Sequence, residues 1–192
     1  DVQLLHKLTM GELVSSVNEC VKEENVDLVI MATSGGDDWF SAMLGSNTDS
    51  LIQSGKVPTL VLPENFEATE LTTIGFTTRF REKDKEALEK TIAFAHKIKA
   101  TVKCLYVETQ ESDVEKSVME NWQSEFQAKN VQFFVYPSND VYETIEEFIV
   151  QHEIDMLAMV TYKRSFFTDL FTRRLTQKVS HNVDIPVLVF HD

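Results

Sequence analysis

The amino-acid sequence predicts an α/β protein with a doubly wound parallel sheet and helices on both faces, built as one complete copy of a repeated unit plus the C-terminal half of another. Apolar runs of strand length alternate with segments of helical periodicity, and right-handed crossovers between parallel strands then place helices on both faces. An internal repeat divides the chain. The 192 residues, 43% of them hydrophobic, suffice for one large or two small domains.

The repeat has a spacing of 128 residues, which carries Val26–Met31 onto Ile154–Met159. The same offset carries Val57–Val61 onto Ile185–Val189 without a gap. The helix ahead of each first strand repeats in register, because its apolar positions Leu13, Val17, Cys20 and Val21 map onto Val141, Ile145, Phe148 and Ile149. Agreement at strand, helix and second strand indicates a duplicated unit.

Copy one covers residues 1–63 and holds only the last part of the unit. Thr9 and Glu12 fit a capping box, so the first helix is expected to start near Met10. The predicted elements are a strand remnant at Val2–His6, that helix, a strand at Leu28–Ala32, a helix at Asp38–Gln53 and a strand at Pro58–Leu62. The first two strands and helices of the unit have no counterpart in this copy.

Copy two covers residues 71–192, after a short polar linker at residues 64–70. Five strands alternate in it with four helices. We predict strands at 71–77, 101–107, 131–136, 155–161 and 185–190, and helices at 84–99, 113–129, 140–151 and 168–180.

A loop with glycines follows the first apolar strand of copy one. It reads Ala32-Thr33-Ser34-Gly35, then nine residues, then Gly45-Ser46, and a helix and the Pro58 strand come next. This pattern resembles the universal stress protein family, whose signature is G-x2-G-x9-G-[ST]; only the first glycine is changed, to Ala32. The resemblance covers essentially the whole chain as a tandem type, and it implies strand order 3-2-1-4-5 in a complete domain.

The resemblance implies an ATP or ADP site in copy one. Glycines let a backbone approach phosphate oxygens, and a helix N-terminus attracts them. The residues implied are Met31, Ala32, Ser34, Gly35, Gly45, Ser46 and Asn47. Asp37 and Asp38 would repel a triphosphate unless Mg²⁺ bridges them. The alternative, a tight loop at Gly35-Gly36 with Asp38 as a helix cap, remains open.

Copy two departs from the family pattern. The three glycine positions hold Val160, Lys163 and Arg173, the serine position holds Arg174, and the nucleotide-contacting aspartate of the family is replaced by Thr77. We therefore predict that copy two binds no ATP in the family manner. Lys163, Arg164, Arg173 and Arg174 form a basic cluster that suits either a different anion or a solvated helix face with ion pairs.

Composition narrows the remaining function classes. The formal charge of −13 disfavours nucleic acid and anionic membrane partners. The sequence has no apolar run long enough for a membrane helix, so a cytoplasmic location is expected. Cys20 and Cys104 are interpreted as small core residues. Glu143, Glu146 and Glu147 are interpreted as a solvated helix face, so no catalytic residue or metal site is nominated and hydrolysis would at most be slow.

Two functions stay open at this stage. The first is a stress-response protein that binds nucleotide through copy one, with a degenerate copy two; the alternative is a nucleotide-independent regulatory or scaffold protein. In the family the last strands of two domains commonly pair antiparallel, so we expect Pro58–Leu62 to meet Pro186–Phe190 in an intramolecular pseudo-dimer. A missing N-terminal segment or a second chain is expected to complete the first domain.

Overall fold

The computed structural model describes residues 3–32, 46–63, 66–67, 70–162 and 185–191. The helices of this part of the chain are α1 Leu13–Glu24, α2 Ser46–Ser54, α3 Glu82–Ile98, α4 Lys116–Phe126 and α5 Val141–Gln151. Its strands are β1 Val29–Ala32, β2 Thr59–Leu62, β3 Thr73–Thr77, β4 Thr101–Glu108, β5 Val131–Pro137, β6 Met156–Thr161 and β7 Val187–His191. A 3₁₀ turn at Gln127–Lys129 continues α4.

The strands form one sheet in the order β1-β2-β7-β6-β3-β4-β5, and every neighbouring pair is parallel except β2 and β7. The predicted α/β class is confirmed. Counted from the β5 edge, the strands of residues 71–192 follow the order 3-2-1-4-5. The sheet has seven strands rather than five, because the two strands of copy one continue it past β7.

The two halves of the chain join through the antiparallel pair. Thr59 lies opposite Val189, and Val61 lies opposite Val187. Thr59, Val187 and Val189 have no exposed surface, so the pairing removes two apolar strand edges from solvent. The strands expected to meet are therefore adjacent in the sheet.

Apolar side chains cover both faces of the sheet. On one face α5 packs Phe148 among residues such as Leu105 and Leu157. On the other face α3 and α4 pack against residues such as Phe76 and Met156. Five consecutive residues of β6 are buried, as expected of a strand covered on both faces.

Cys104 is a core residue and Cys20 is half-buried. The burial of Cys104 raises the pKa of its thiol well above the ordinary value. This is the environment of a packing residue, as the sequence predicted for Cys104, and not of a reactive thiolate.

The structure corrects the predicted start of the chain. Residues 3–6 are exposed and not in a strand, so the strand remnant predicted at Val2–His6 is wrong over its described part. The first helix begins at Leu13 and not near Met10, because Glu12 itself is the N-cap. Its carboxylate accepts hydrogen bonds from the backbone N–H groups of Val14 at 3.1 Å and Ser15 at 2.9 Å, and these bonds lower its pKa.

Glu146 is a second correction. It is 3% exposed, whereas the sequence placed it on a solvated helix face with Glu143 and Glu147. The hydroxyl of Tyr142, one turn earlier on α5, donates to Glu146 Oε1 at 2.5 Å. Helical spacing alone did not reveal this burial, because burial depends on the elements that pack against α5.

Candidate functional site

A pocket of about 280 Å³ lies at the carboxyl ends of β3, β4 and β6. In open α/β sheets ligands bind outside the carboxyl ends of the strands, where successive connections leave in opposite directions. The chain runs from β3 to β4 on one side and returns to β6 on the other side of β3. The pocket therefore occupies the switch point of the copy-two sheet.

One buried carboxylate holds the wall of this pocket together. Asp84, in the first turn of α3, is 1% exposed. Its Oδ2 accepts from the N–H groups of Arg79 at 2.6 Å and Arg81 at 3.1 Å, and from the hydroxyl of Thr78 at 3.1 Å. Its Oδ1 accepts from the hydroxyl of Tyr162 at 2.6 Å.

These four donors come from the turn after β3 and from the residue that follows β6. Asp84 thus ties the two strand ends on either side of the switch point to the start of α3. With both oxygens engaged in hydrogen bonds, the carboxylate is suited to positioning the pocket walls. A carboxylate in the first turn also interacts favourably with the helix dipole.

The pocket has an apolar floor and a polar rim. The floor includes Val107, Ile145 and Met159, and the rim includes Thr77, Thr78, Thr109, Ser112, Arg79, Glu111 and Asp113. Arg81 donates two hydrogen bonds to Asp113, at 2.6 and 2.8 Å, and this exposed ion pair lowers the pKa of Asp113. The rim offers hydroxyl groups and carboxylates rather than a cluster of cations.

The hydroxyl groups and carboxylates of the rim agree with the prediction that copy two binds no ATP in the family manner, which stays a prediction. Thr77, which stands where the family has its aspartate, is half-buried at the end of β3 and lines the pocket. Sequence reasoning did not find the bond from Tyr162 to Asp84. The two residues lie 78 positions apart, and no local spacing signals that pair.

The residues implied for nucleotide in copy one lie at the end of β1 and the start of α2. Met31 and Ala32 end the strand, and Ser46 and Asn47 begin the helix. Thr48 Oγ1 lies 3.6 Å from Met31 Sδ, in position to donate a weak hydrogen bond, so the strand end and the first helical turn are in contact. The implied residues Ser34, Gly35 and Gly45 lie outside the described residues, as do Asp37 and Asp38. The helix predicted at 168–180 also lies outside them, as does the basic cluster of Lys163, Arg164, Arg173 and Arg174.

The fold is that of a doubly wound α/β protein, with candidate ligand sites at the carboxyl edge of its sheet. Residues 2–63 match the model of the Universal stress protein family. The family recognised from the sequence is thereby confirmed for the segment that carries the glycine loop. No curated protein sequence matches the chain.

Solved structures share the fold over almost the whole chain. A universal stress protein from Archaeoglobus fulgidus DSM 4304 is 14% identical with a TM-score of 0.65, over 92% of this chain and 64% of that one. A functionally unknown protein from Pseudomonas aeruginosa PAO1 is 14% identical with a TM-score of 0.66, over 95% of this chain and 69% of that one. The chain thus spans 64% of the length of the archaeal protein. Across the described ranges, no helix has the length and apolar sequence needed to cross a membrane.

Proposed function

We propose that the chain is a stress-response protein that binds ATP or ADP where β1 meets α2 in its first domain. The observation that carries the proposal is the contact between Thr48 and Met31, which sets a helix N-terminus beside the end of a sheet strand. Backbone N–H groups at such a terminus attract phosphate oxygens. The family match over residues 2–63 includes this segment and its glycine loop.

The second domain acts in this proposal as a structural partner. The domains are residues 1–63 and 71–192, joined by the linker at 64–70, and the antiparallel pair of β2 and β7 makes them an intramolecular pseudo-dimer. The support is the buried register of Thr59 with Val189. A cytoplasmic location remains a prediction.

A nucleotide-independent regulatory or scaffold function is the second candidate. The observation that favours it is the copy-two pocket, whose lining includes the carboxylates Glu111 and Asp113. Carboxylates near a triphosphate oppose binding unless a cation bridges them. A protein that acts through contacts with other proteins needs no nucleotide at either switch point.

Calorimetric titration of the intact protein with ATP, with and without Mg²⁺, tests the proposal. A Ser46→Glu variant introduces a carboxylate at the first residue of α2, and Ser50→Glu introduces the same group one turn later as the matched control. We expect Ser46→Glu to abolish binding and Ser50→Glu to retain most of it. If the unmutated protein binds neither nucleotide at millimolar concentration, the proposal fails and the scaffold function is favoured.

A further inference from the structure

We propose that the outer edge of β5 is an interaction surface at which a second copy of this chain pairs its own β5, antiparallel about a two-fold axis. The outer edge is the side of Val131, Phe133, Val135 and Pro137 that faces away from β4. It lies at the end of the sheet opposite to β1. The surface is therefore remote from the proposed nucleotide site between β1 and α2, and neither depends on the other.

The backbone of β5 has free hydrogen-bonding groups along this edge. Within the described ranges β5 pairs with β4 alone. The N–H of Ser138, directly after the strand, donates to Glu108 O of β4 at 2.9 Å. Successive residues of a strand turn their backbone groups to opposite sides, so every second residue of β5 faces β4 as Ser138 does. The N–H groups that consequently point to the outer edge are those of Val131, Phe133 and Val135.

The outer edge lacks the charges that usually keep an exposed strand from pairing. β5 reads V-Q-F-F-V-Y-P and holds no charged residue, although 26% of the chain is charged. Natural proteins protect edge strands with lysines, inward-pointing charges or a covering element. Pro137, at the last position of the strand, removes one donor from the outer edge and leaves the earlier ones in place. Val135 is 37% exposed, and an apolar edge of this kind recruits another strand.

The sequence of β5 is suited to pairing with itself. With Phe134 on a two-fold axis, antiparallel pairing sets Phe133 opposite the second copy's Val135. Both residues turn their N–H groups to the outer edge, so they form a hydrogen-bonded pair, and the symmetry repeats it. An aromatic side chain opposite a β-branched one is a favourable cross-strand pair. An uncharged strand offers no ion pair to a charged peptide, and two-fold contacts are the commonest between identical chains.

The length of the strand and the charge of the chain set the strength of this contact. The 7 residues of β5 extend about 23 Å at roughly 3.3 Å per residue, which is short for a stable protein interface. Each chain also carries a formal charge of −13, so two copies repel each other. We expect a weak, concentration-dependent dimer that strengthens as salt screens the repulsion. A contact held by surface ion pairs would weaken with salt instead.

Sedimentation equilibrium of the chain from micromolar to millimolar concentration tests the proposal, and amide hydrogen exchange by NMR locates the contact. We expect the average mass to rise from that of one chain toward that of two, and to rise further at high salt. The amides of Val131, Phe133 and Val135 should exchange at least about threefold more slowly at millimolar concentration, which corresponds to about two thirds of the chains being paired. The amides of the alternate β5 residues, which are bonded to β4, should change little.

Val135→Lys places a charge in the outer edge and is expected to keep the chain monomeric. Val150→Lys is the matched control, because it makes the same change at an exposed position of α5 and leaves β5 untouched. Gln132→Lys, at an exposed polar position of β5, is expected to weaken the association without loss of packing, and it decides the test if Val135→Lys does not fold. Unchanged protection of the β6 amides shows that a variant is folded.

An average mass of one chain at every concentration and salt level would overturn the proposal. A dimer that the folded β5 variants leave unchanged would do the same, as would association that weakens with salt. Association that Ile30→Lys abolishes would overturn it in favour of a contact at the edge of β1. Growth beyond two chains would show open-ended pairing in place of a two-fold dimer and would equally count against it.

Discussion

Replacing Asp84 with alanine is expected to destabilise the protein substantially and to loosen the wall of the copy-two pocket. The substitution removes the acceptor of four hydrogen bonds from Thr78, Arg79, Arg81 and Tyr162. A hydrogen bond to a charged group contributes about 1.5–3 kcal/mol, and a buried donor left without an acceptor costs about 1–3 kcal/mol.

The four contributions do not add fully. The four donors share one carboxylate, and the contributions of groups in one hydrogen-bond network are not additive. Counting one charged hydrogen bond in full and the others in part, we expect a loss of about 3–5 kcal/mol in the free energy of unfolding. Tyr162→Phe removes only one of the four donors and is expected to cost about 1–2 kcal/mol.

Urea denaturation followed by far-ultraviolet circular dichroism measures both losses. Asp113→Ala is the matched control, because this carboxylate faces the same pocket but pairs with Arg81 at the exposed rim. Its removal is expected to change stability little. The reasoning is refuted if Asp84→Ala is no more destabilising than Asp113→Ala, since the buried hydrogen bonds would then contribute nothing measurable.

Three further predictions concern the core and its titratable groups. Phe148 has no exposed surface, and its ring lies 5.5 Å from that of Phe134. Phe148→Ala is expected to lower the free energy of unfolding, measured by urea denaturation, by about 3–5 kcal/mol. Val150→Ala, at an exposed position, is expected to change it by no more than about 0.5 kcal/mol. Cys20 is expected to react with a thiol reagent in the native protein and Cys104 only after denaturation, because burial raises the pKa of the Cys104 thiol; equal native rates would contradict this. Burial lowers the pKa of His191, so its neutral form is favoured in the folded state and stability should fall as pH drops below the unfolded value of about 6.5. His191→Gln should flatten the dependence of stability on pH, whereas His96→Gln, at an exposed position, should leave it unchanged. Thermal melts between pH 5 and 8, a range that brackets the value of about 6.5, measure both variants.

The strands of copy two show which strand boundaries the local sequence predicts accurately. Those at 101–107, 131–136 and 155–161 were placed within one residue at each end. β6 and the centre of β4 are buried apolar runs, so their burial follows directly from their composition. The strand predicted from residue 71 begins at Thr73 instead, because Thr72 gives its N–H and hydroxyl to Asp155.

The candidate sites were less predictable. The glycine loop predicts the copy-one site through a pattern contained in a short stretch of chain. In the structure Met31 contacts Thr48 in the first turn of α2. The copy-two pocket depends on Asp84 and Tyr162 meeting across the carboxyl edge of the sheet. No local periodicity predicts a contact between residues so far apart in the chain.

The sequence by itself determined the α/β class, the repeat of 128 residues and the family resemblance, because periodicity and motif spacing are local properties of the chain. The tertiary structure alone decided that residues 3–6 form no strand, that Glu146 is buried and that the two halves share one seven-stranded sheet. The physical reason is the same in each case. Strand pairing and burial depend on which partner lies alongside, and the local sequence does not specify that partner.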